Sequence, residues 1–566
     1  MTVLPIVGRE LRVASRRRGT YWTRFSAALL AIVLGSWAWA MFLKRPAHET
    51  GLAIFVALSI IAYIYSLIAG ALATADCLSE EKREGTLGLL FLTDLKGYDV
   101  VLGKLAASSL GSIYGLLAIF PVMGVPLLLG GVAPAEFWRV VLVCANNLFF
   151  SLSLGMFCSA ICKDERKAIG LTMSAIILLT AGWPGVVAWI SSEIRPDNPF
   201  YELFRENPEP LFALSPGFAA VFAFDIPYKA KIAGAPTNWF HLSLAMTHAI
   251  SWAALVLATL IVPRIWQDKA ASRAASRRQE TWKRVSLGGE DMRVAFRRRL
   301  LDINPFYWLA SRERFKVALV WLWIGGGALL WLVGLVREKR HWLDESIYVM
   351  TAILAHTSLK AWIAMESSRR IGNDRRSGAL ELLLSTPLRV KEILYGQWLA
   401  LLRQFGAAAV LICAIDLIFV AMGLSRVHGG NDRELWVAMW LAGISIFVLD
   451  LFTIPPLTIW LSLTGRKATR AGTSALVLIC CVPWFVLGVF GAFMALMNEV
   501  FGVEFFNSGN ELGWILIAVW FTTSLLLDVI LGNWARRNLH EKFRLVATQR
   551  LETKVGFWKR MFGRGG

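Results

Sequence analysis

Long blocks of apolar residues recur along the whole chain, and they constrain its fold class more than any other feature. A bilayer core of ~30 Å is crossed by about 20 apolar residues in an α-helix. Twelve segments of that kind emerge, at 25–43, 51–73, 104–130, 137–161, 168–190, 241–263, 317–336, 346–365, 397–423, 435–463, 471–497 and 513–532. Apolar residues make up 56% of the chain and charged residues 17%, well under the charged share of about 25% in soluble domains. The 25 Trp and 33 Phe suit helices flanked by aromatic belts. The expected fold class is all-α: a polytopic membrane protein of about twelve transmembrane helices. Pro121 and Pro126 fall inside the segment 104–130 and are expected to kink it.

An internal repeat organises these segments. The stretch from Glu81 through Arg83, Gly85, Thr86, Leu87, Leu89 and Leu90 to Leu95 aligns without gaps on the stretch from Asp374 to Leu388, at an offset of 293 residues. Gly103 then falls on Gly396, and Ala14-Ser15-Arg16 before the first segment has a counterpart in Ala310-Ser311-Arg312 before the seventh. Six segments separate the copies. The expected architecture is therefore two tandem six-helix repeats in parallel orientation. The divisions are 1–263 for the first unit, 264–303 for a basic cytosolic linker, 304–535 for the second unit and 536–566 for a basic tail. The repeat also argues against a cleaved signal peptide at 25–43, because its counterpart at 317–336 is internal.

Charge sets the orientation. Of 59 Lys and Arg, 46 fall in the segments assigned to one face and 12 in those assigned to the other. The positive-inside rule then puts both termini and the linker in the cytosol; the expected location is the plasma (inner) membrane. The net charge of +19 follows the membrane face and builds no compact basic domain, so nucleic acid is not an expected partner. The linker, ending in Arg297-Arg298-Arg299, fits contact with anionic membrane lipid or a solvated, topology-setting role. The apolar run 211–224 in the outer loop 191–240 is too short to span and fits a re-entrant or interfacial segment.

No phosphate-binding loop is present. Between Gly97 and Gly103 lie five residues instead of four, and Leu105 stands where a hydroxyl should bind Mg²⁺. HExxH and GxSxG are absent as well. The seven cysteines lack partner ligands at metal-site spacing and read as small apolar packing residues. No catalytic, cofactor or metal residue is assigned. The repeated cytosolic stretch carries more information. A charged cluster, then Gly, then a run such as Leu380-Glu381-Leu382-Leu383-Leu384 ending at Thr386-Pro387 forms a short amphipathic helix on the inner face. An ordinary loop helix is the plainer alternative. Its presence at the same place in both halves favours a docking role.

The pattern Glu81, Arg83, Gly85, Thr86, Leu87, Leu89, Leu90, Thr93, Leu95, Gly103, Lys104 resembles the permease subunits of ABC-2 type ABC transporters. The second half carries Arg376, Gly378, Leu380, Leu382, Leu383, Thr386, Pro387, Leu388 and Gly396. Departures from the family pattern are Asp94, Ser377 and Gln397. The resemblance implies cytosolic amphipathic connecting helices at 4–23 and 304–316, and coupling helices that dock on separate ATPase subunits. By resemblance, coupling falls to Glu81, Arg83, Glu84, Gly85, Thr86, Arg375, Arg376, Gly378, Glu381, Thr386 and Pro387. Two ATPases, holding the ATP and Mg²⁺ this chain lacks, then attach to one chain in which both permease units are fused, with no second permease chain. An exporter is the expected function. The alternatives are a secondary transporter of the major facilitator kind, which also has twelve spans in two parallel halves, and a membrane scaffold.

Ionisable residues inside spans are expensive and therefore candidate functional groups. Lys360 and Asp528 sit toward the cytosolic ends of their segments, where snorkelling or a local hydrogen bond is expected. His248 and His356 also fall within spans. Asp416 and Asp450 lie deeper. They either line a path through the membrane or lock helices together by hydrogen bonds.

Overall fold

The computed structural model describes residues 29, 32, 46–92, 95–194, 197, 201, 209–229, 239–265, 290–312, 315–426, 430–465, 468–501 and 509–549. The expected first span at 25–43 apart from Leu29 and Ile32, the segment 4–23, most of the linker, Thr93, Asp94 and the tail beyond residue 549 lie outside the described residues. The chain is all-α, and eleven of the described helices are long and apolar enough to cross a membrane. They correspond to the second through twelfth expected spans. It divides into two compact units, Met1–Ala270 with Gly491–Val500, and Ala271–Phe490 with Phe501–Gly566.

In the first unit, α1 (Ala47–Thr74) leads through a two-residue turn into α2 (Cys77–Glu84) and then α3 (Thr86–Phe91). Next come α4 (Gly97–Leu129) and α5 (Pro134–Ile161). A fifth spanning helix is built from α6 (Glu165–Ile177), one π turn (Leu178–Gly182) and α7 (Trp183–Glu193). Short helices α8 (Glu209–Phe212), α9 (Pro216–Val221) and α10 (Asp225–Lys229) precede the spanning α11 (Trp239–Ile265). The second unit opens with α12 (Glu290–Leu301) and α13 (Pro305–Ser311), then α14 (Phe315–Glu338), α15 (Glu345–Arg376) and the short α16 (Ala379–Leu384). It continues with α17 (Val390–Leu424), α18 (Gly430–Thr464), α19 (Ala468–Leu476), a π turn (Val477–Cys481), α20 (Val482–Phe501) and α21 (Gly509–Thr548).

Several helices run further than their apolar blocks. The block 104–130 belongs to Gly97–Leu129, 346–365 to Glu345–Arg376 and 513–532 to Gly509–Thr548. Hydropathy registers only the stretch that meets lipid, whereas the backbone hydrogen-bond ladder continues wherever the residues permit. α4 also continues through Pro121 and Pro126 as one helix.

Helices in lipid gain little from the hydrophobic effect between themselves, so small residues and interhelical hydrogen bonds decide their packing. The α1–α5 contact shows this. A Cβ on Gly70 would fall 1.9 Å from Ser151 Oγ, and one on Gly155 would fall 2.2 Å from Thr74 Oγ1. At this close approach Thr74 Oγ1 donates to Leu152 O at 2.8 Å and Ser151 Oγ donates to Ser66 O at 2.7 Å.

The π turns have a common cause. Each directly precedes a proline one residue into the next helix, Pro184 and Pro483. Proline offers no N–H to the turn before it, and its ring crowds the carbonyl four residues back, so the helix widens there. In the first unit that carbonyl, Thr180 O, accepts from Ser215 Oγ at 3.1 Å. Trp183 Nε1 donates to Leu211 O at 2.7 Å. The apolar run 211–224 is thereby tied to the break in the fifth spanning helix. It forms α8, α9 and the stretch leading into α10. Ala219 and Ala223 are buried, and Arg139 on α5 donates to Ala223 O at 2.9 Å and pairs with Asp225.

Candidate functional site

The repeated elements recur at the sequence offset down to their caps. Gly85 follows α2 with φ +71° and Gly378 precedes α16 with φ +74°, a left-handed conformation that glycine adopts without strain. Residues Thr86–Phe91 and Ala379–Leu384, the two short helices, fall on each other at 293. So do the starts of α4 and α17. The backbone N–H of Lys96 donates to Asp99 Oδ2 at 3.0 Å, and that of Arg389 donates to Glu392 Oε2 at 2.9 Å. These reciprocal caps fix the direction in which each long helix leaves the repeated element.

Within the first unit the charges of the repeat are engaged internally. Lys104 Nζ lies 2.8 Å from Glu81 Oε1, and Thr86 Oγ1 donates to the other Glu81 oxygen. Arg83 pairs with Asp76 at 2.8 Å and donates to Lys163 O at 3.1 Å. The N–H groups of Leu78 and Ser79 both donate to Ser159 Oγ, at 2.9 and 3.0 Å. α2 is thus moored to the C-terminal end of α5. The side chain of Glu84 is outside the described set.

In the second unit the same positions are arranged differently. Arg375 donates to Gln549 O at 3.1 Å. Arg376, Glu381, Thr386 and Pro387 are exposed, with Thr386 Oγ1 turned back to Leu383 O at 2.6 Å. Gln397 stands where the first unit has Lys104. It is buried to 1% exposure, and its Oε1 finds no donor.

Both short helices also carry a feature that the charged-residue pattern did not single out. Leu87 and Leu380, at matching positions, are buried at 1% and 0%. Leu89 and Leu382, also matching, are 64% and 71% exposed. A leucine at the same helical phase in both copies, on the face opposite the buried one, was the available signal.

The ionisable residues of the spans in the second unit come together in pairs. Lys360 on α15 pairs with Asp450 on α18, at 8% and 2% exposure. Neither snorkelling nor a bond within its own helix accounts for Lys360: its partner is on another helix. Asp416 on α17, at 1% exposure, accepts from His356 Nε2 at 2.8 Å, and the His356 ring stacks on Phe447 at 4.1 Å. Asp528 on α21 faces Asp450 and Thr453, with neither carboxylate oxygen in a hydrogen bond of normal geometry. In the first unit Leu67 stands at the repeat position of Lys360 and Met123 at that of Asp416. Its spanning histidine, His248, meets Asn146 Oδ1 at 3.0 Å instead.

Residues 40–335 match the family model described as ABC-2 family transporter protein. The chain belongs to the ABC-2 transporter family. No curated protein matches it. Membership makes this chain a transmembrane component of an ABC transporter that is not itself catalytic, and ABC-2 permeases associate in general with ABC ATPase subunits. The moored α2–α3 element and its counterpart α16 lie where the permease resemblance puts coupling, and the match covers the first of them.

Proposed function

We propose that this chain is the membrane subunit of an ATP-driven exporter, in which two permease units are fused. Two cytosolic ATPase subunits attach at 79–96 and 372–389, and ATP and Mg²⁺ reside on them. No second permease chain is then needed. Both termini lie in the cytosol and the chain sits in the inner membrane. The observation that supports this reading is the pair Leu89 and Leu382. Each is a large apolar side chain set out from a helix whose other side is buried, and each is held by a left-handed glycine and a capped long helix. Each is an exposed apolar side chain on a rigid mount, flanked in the second copy by the exposed charges Arg376 and Glu381, and such a side chain can be desolvated in a partner pocket while the charges stay at the rim. The rim charges tune fit and rate of association.

The test uses the full chain co-expressed with its ATPase. The variant Leu89→Asp/Leu382→Asp should insert and purify as wild type, yet retain the ATPase at least tenfold less well, as expected for loss of hot-spot anchors worth ~2 kcal/mol or more. Unchanged co-purification in that variant and in Arg376→Glu would show that the elements do not couple.

A further inference from the structure

A cavity of about 430 Å³ opens between the inner ends of α17, α18 and α21, within the second unit. Its existence follows from two prolines. Pro455 and Pro456 interrupt the backbone ladder of α18. The carbonyl of Phe452, four residues before Pro456, is taken up by Arg536 Nη2 of α21 at 3.1 Å. Trp398 stacks on Phe452 at 5.2 Å and forms one wall. The remaining lining is largely apolar, including Leu401, Pro455 and Ile459. Lys391, Arg536 and His540 are exposed and also line the cavity. No acidic residue is among the lining residues. Deeper in, Gln397 contributes a buried amide whose oxygen has no donor.

We infer that this cavity binds one anionic phospholipid of the inner leaflet, with its phosphate between Lys391 and Arg536 and its acyl chain against the proline-broken face of α18. The volume lies in the range of built ligand sites, about 300–1,000 Å³. Charge and apolarity are separated in the sense a phospholipid requires: cations at the membrane surface, hydrocarbon walls below. Gln397 lies six residues beyond Lys391 on α17, roughly 9 Å along the helix axis. That is the depth of the glycerol esters below a phosphate held at Lys391. Rotation about the last side-chain bond lets the amide offer its NH₂ to an ester carbonyl, or its oxygen to a hydroxyl. The first unit cannot build the same site, because Lys104 occupies the place of Gln397 and is bound to Glu81. The inference stands independently of whether the chain exports anything.

The test is native mass spectrometry of the detergent-purified full chain, titrated with phosphatidylglycerol in competition with phosphatidylcholine. One phosphatidylglycerol should be retained in preference to phosphatidylcholine. Lys391→Gln/Arg536→Gln should lower that retention by roughly tenfold or more, since each cation near the surface contributes about fivefold. Because Arg536 also holds the Phe452 carbonyl, Lys391→Gln/His540→Gln keeps that bond and should still weaken retention. Leu401→Trp, which fills the cavity, should abolish it in a chain that melts as wild type. Arg298→Gln/Arg299→Gln, on α12 and not among the lining residues, should leave it intact. Equal retention of the two lipids, retention unaffected by Leu401→Trp, or displacement of the lipid by millimolar inorganic phosphate would each overturn the assignment.

Discussion

The ammonium of Lys104 lies 2.8 Å from Glu81 Oε1, while the residue 293 positions further on, Gln397, is buried with its amide oxygen unpartnered. One unit therefore closes its repeated element with an ion pair, and the other leaves that position neutral. Both partners of the pair are mostly shielded, at 17% and 19% side-chain exposure. Removing one charge strands the other in a poorly solvated place. Lys104→Met is expected to cost about 2 kcal/mol, between the values for exposed and fully buried pairs. Glu81→Gln/Lys104→Met should recover part of that loss. A double-mutant cycle on thermal or denaturant stability measures the coupling, and a coupling energy near zero would mean the pair does not hold the element.

Gly85 and Gly378 make a cleaner test of the matched geometry. A Cβ at either position would meet nothing within 4 Å. Any cost of Gly85→Ala or Gly378→Ala is thus backbone strain alone, about 1–2 kcal/mol for a left-handed residue. Asn at the same positions should cost less, because it tolerates that region. The expected order of melting temperatures is wild type, then Asn, then Ala, for both glycines. Ala variants as stable as wild type would contradict the left-handed assignment.

Much of this arrangement was readable in the sequence, for physical reasons that differ by element. Spans were legible because lipid imposes a length and a composition on them. The matched elements were legible because a gapless repeat carries both the glycine and its neighbours. What hydropathy cannot register is partner choice across the bundle. Lys360 looked like a residue near a helix end, since its height in the sequence says nothing about Asp450 facing it from α18. The outer run 211–224 was recognised as too short to span, but its docking depends on Thr180 O, a carbonyl whose fate is decided by Pro184. Exposure of Leu89 and Leu382 was signalled only by a leucine at the same helical phase in both copies, opposite the buried Leu87 and Leu380.

Orientation is tested by labelling. A single cysteine placed at Asn207, in the long outer loop, should react with an impermeant maleimide added to intact cells. One placed at Ser286, in the basic linker, should react only after the membrane is opened. The seven native cysteines must first be replaced, since Cys481 is exposed. Labelling in the reverse pattern would invert the topology derived from the positive residues.

The Lys360–Asp450 pair separates packing from passage. Both side chains are buried inside the second unit, on α15 and α18. Lys360→Met leaves the buried Asp450 carboxylate facing Asp528 without its cation, a change that costs about 3–5 kcal/mol. Asp450→Leu alone strands the ammonium and should cost a similar amount. Lys360→Met/Asp450→Leu removes both charges and replaces them with apolar groups of comparable volume, which is often neutral or stabilising. If the pair serves to lock α15 against α18, the double variant should melt close to wild type and keep its transport or ATPase-stimulating activity. If the carboxylate lines a path, the double variant should be equally stable yet inactive. The nearby His356–Asp416 bond of 2.8 Å gives an internal comparison, because His356→Phe leaves Asp416 buried without its donor but does not touch the Lys360 charge. Stability of the four chains, followed by activity of those that fold, decides between a lock and a lining residue. A double variant less stable than either single variant would rule out both roles for the pair.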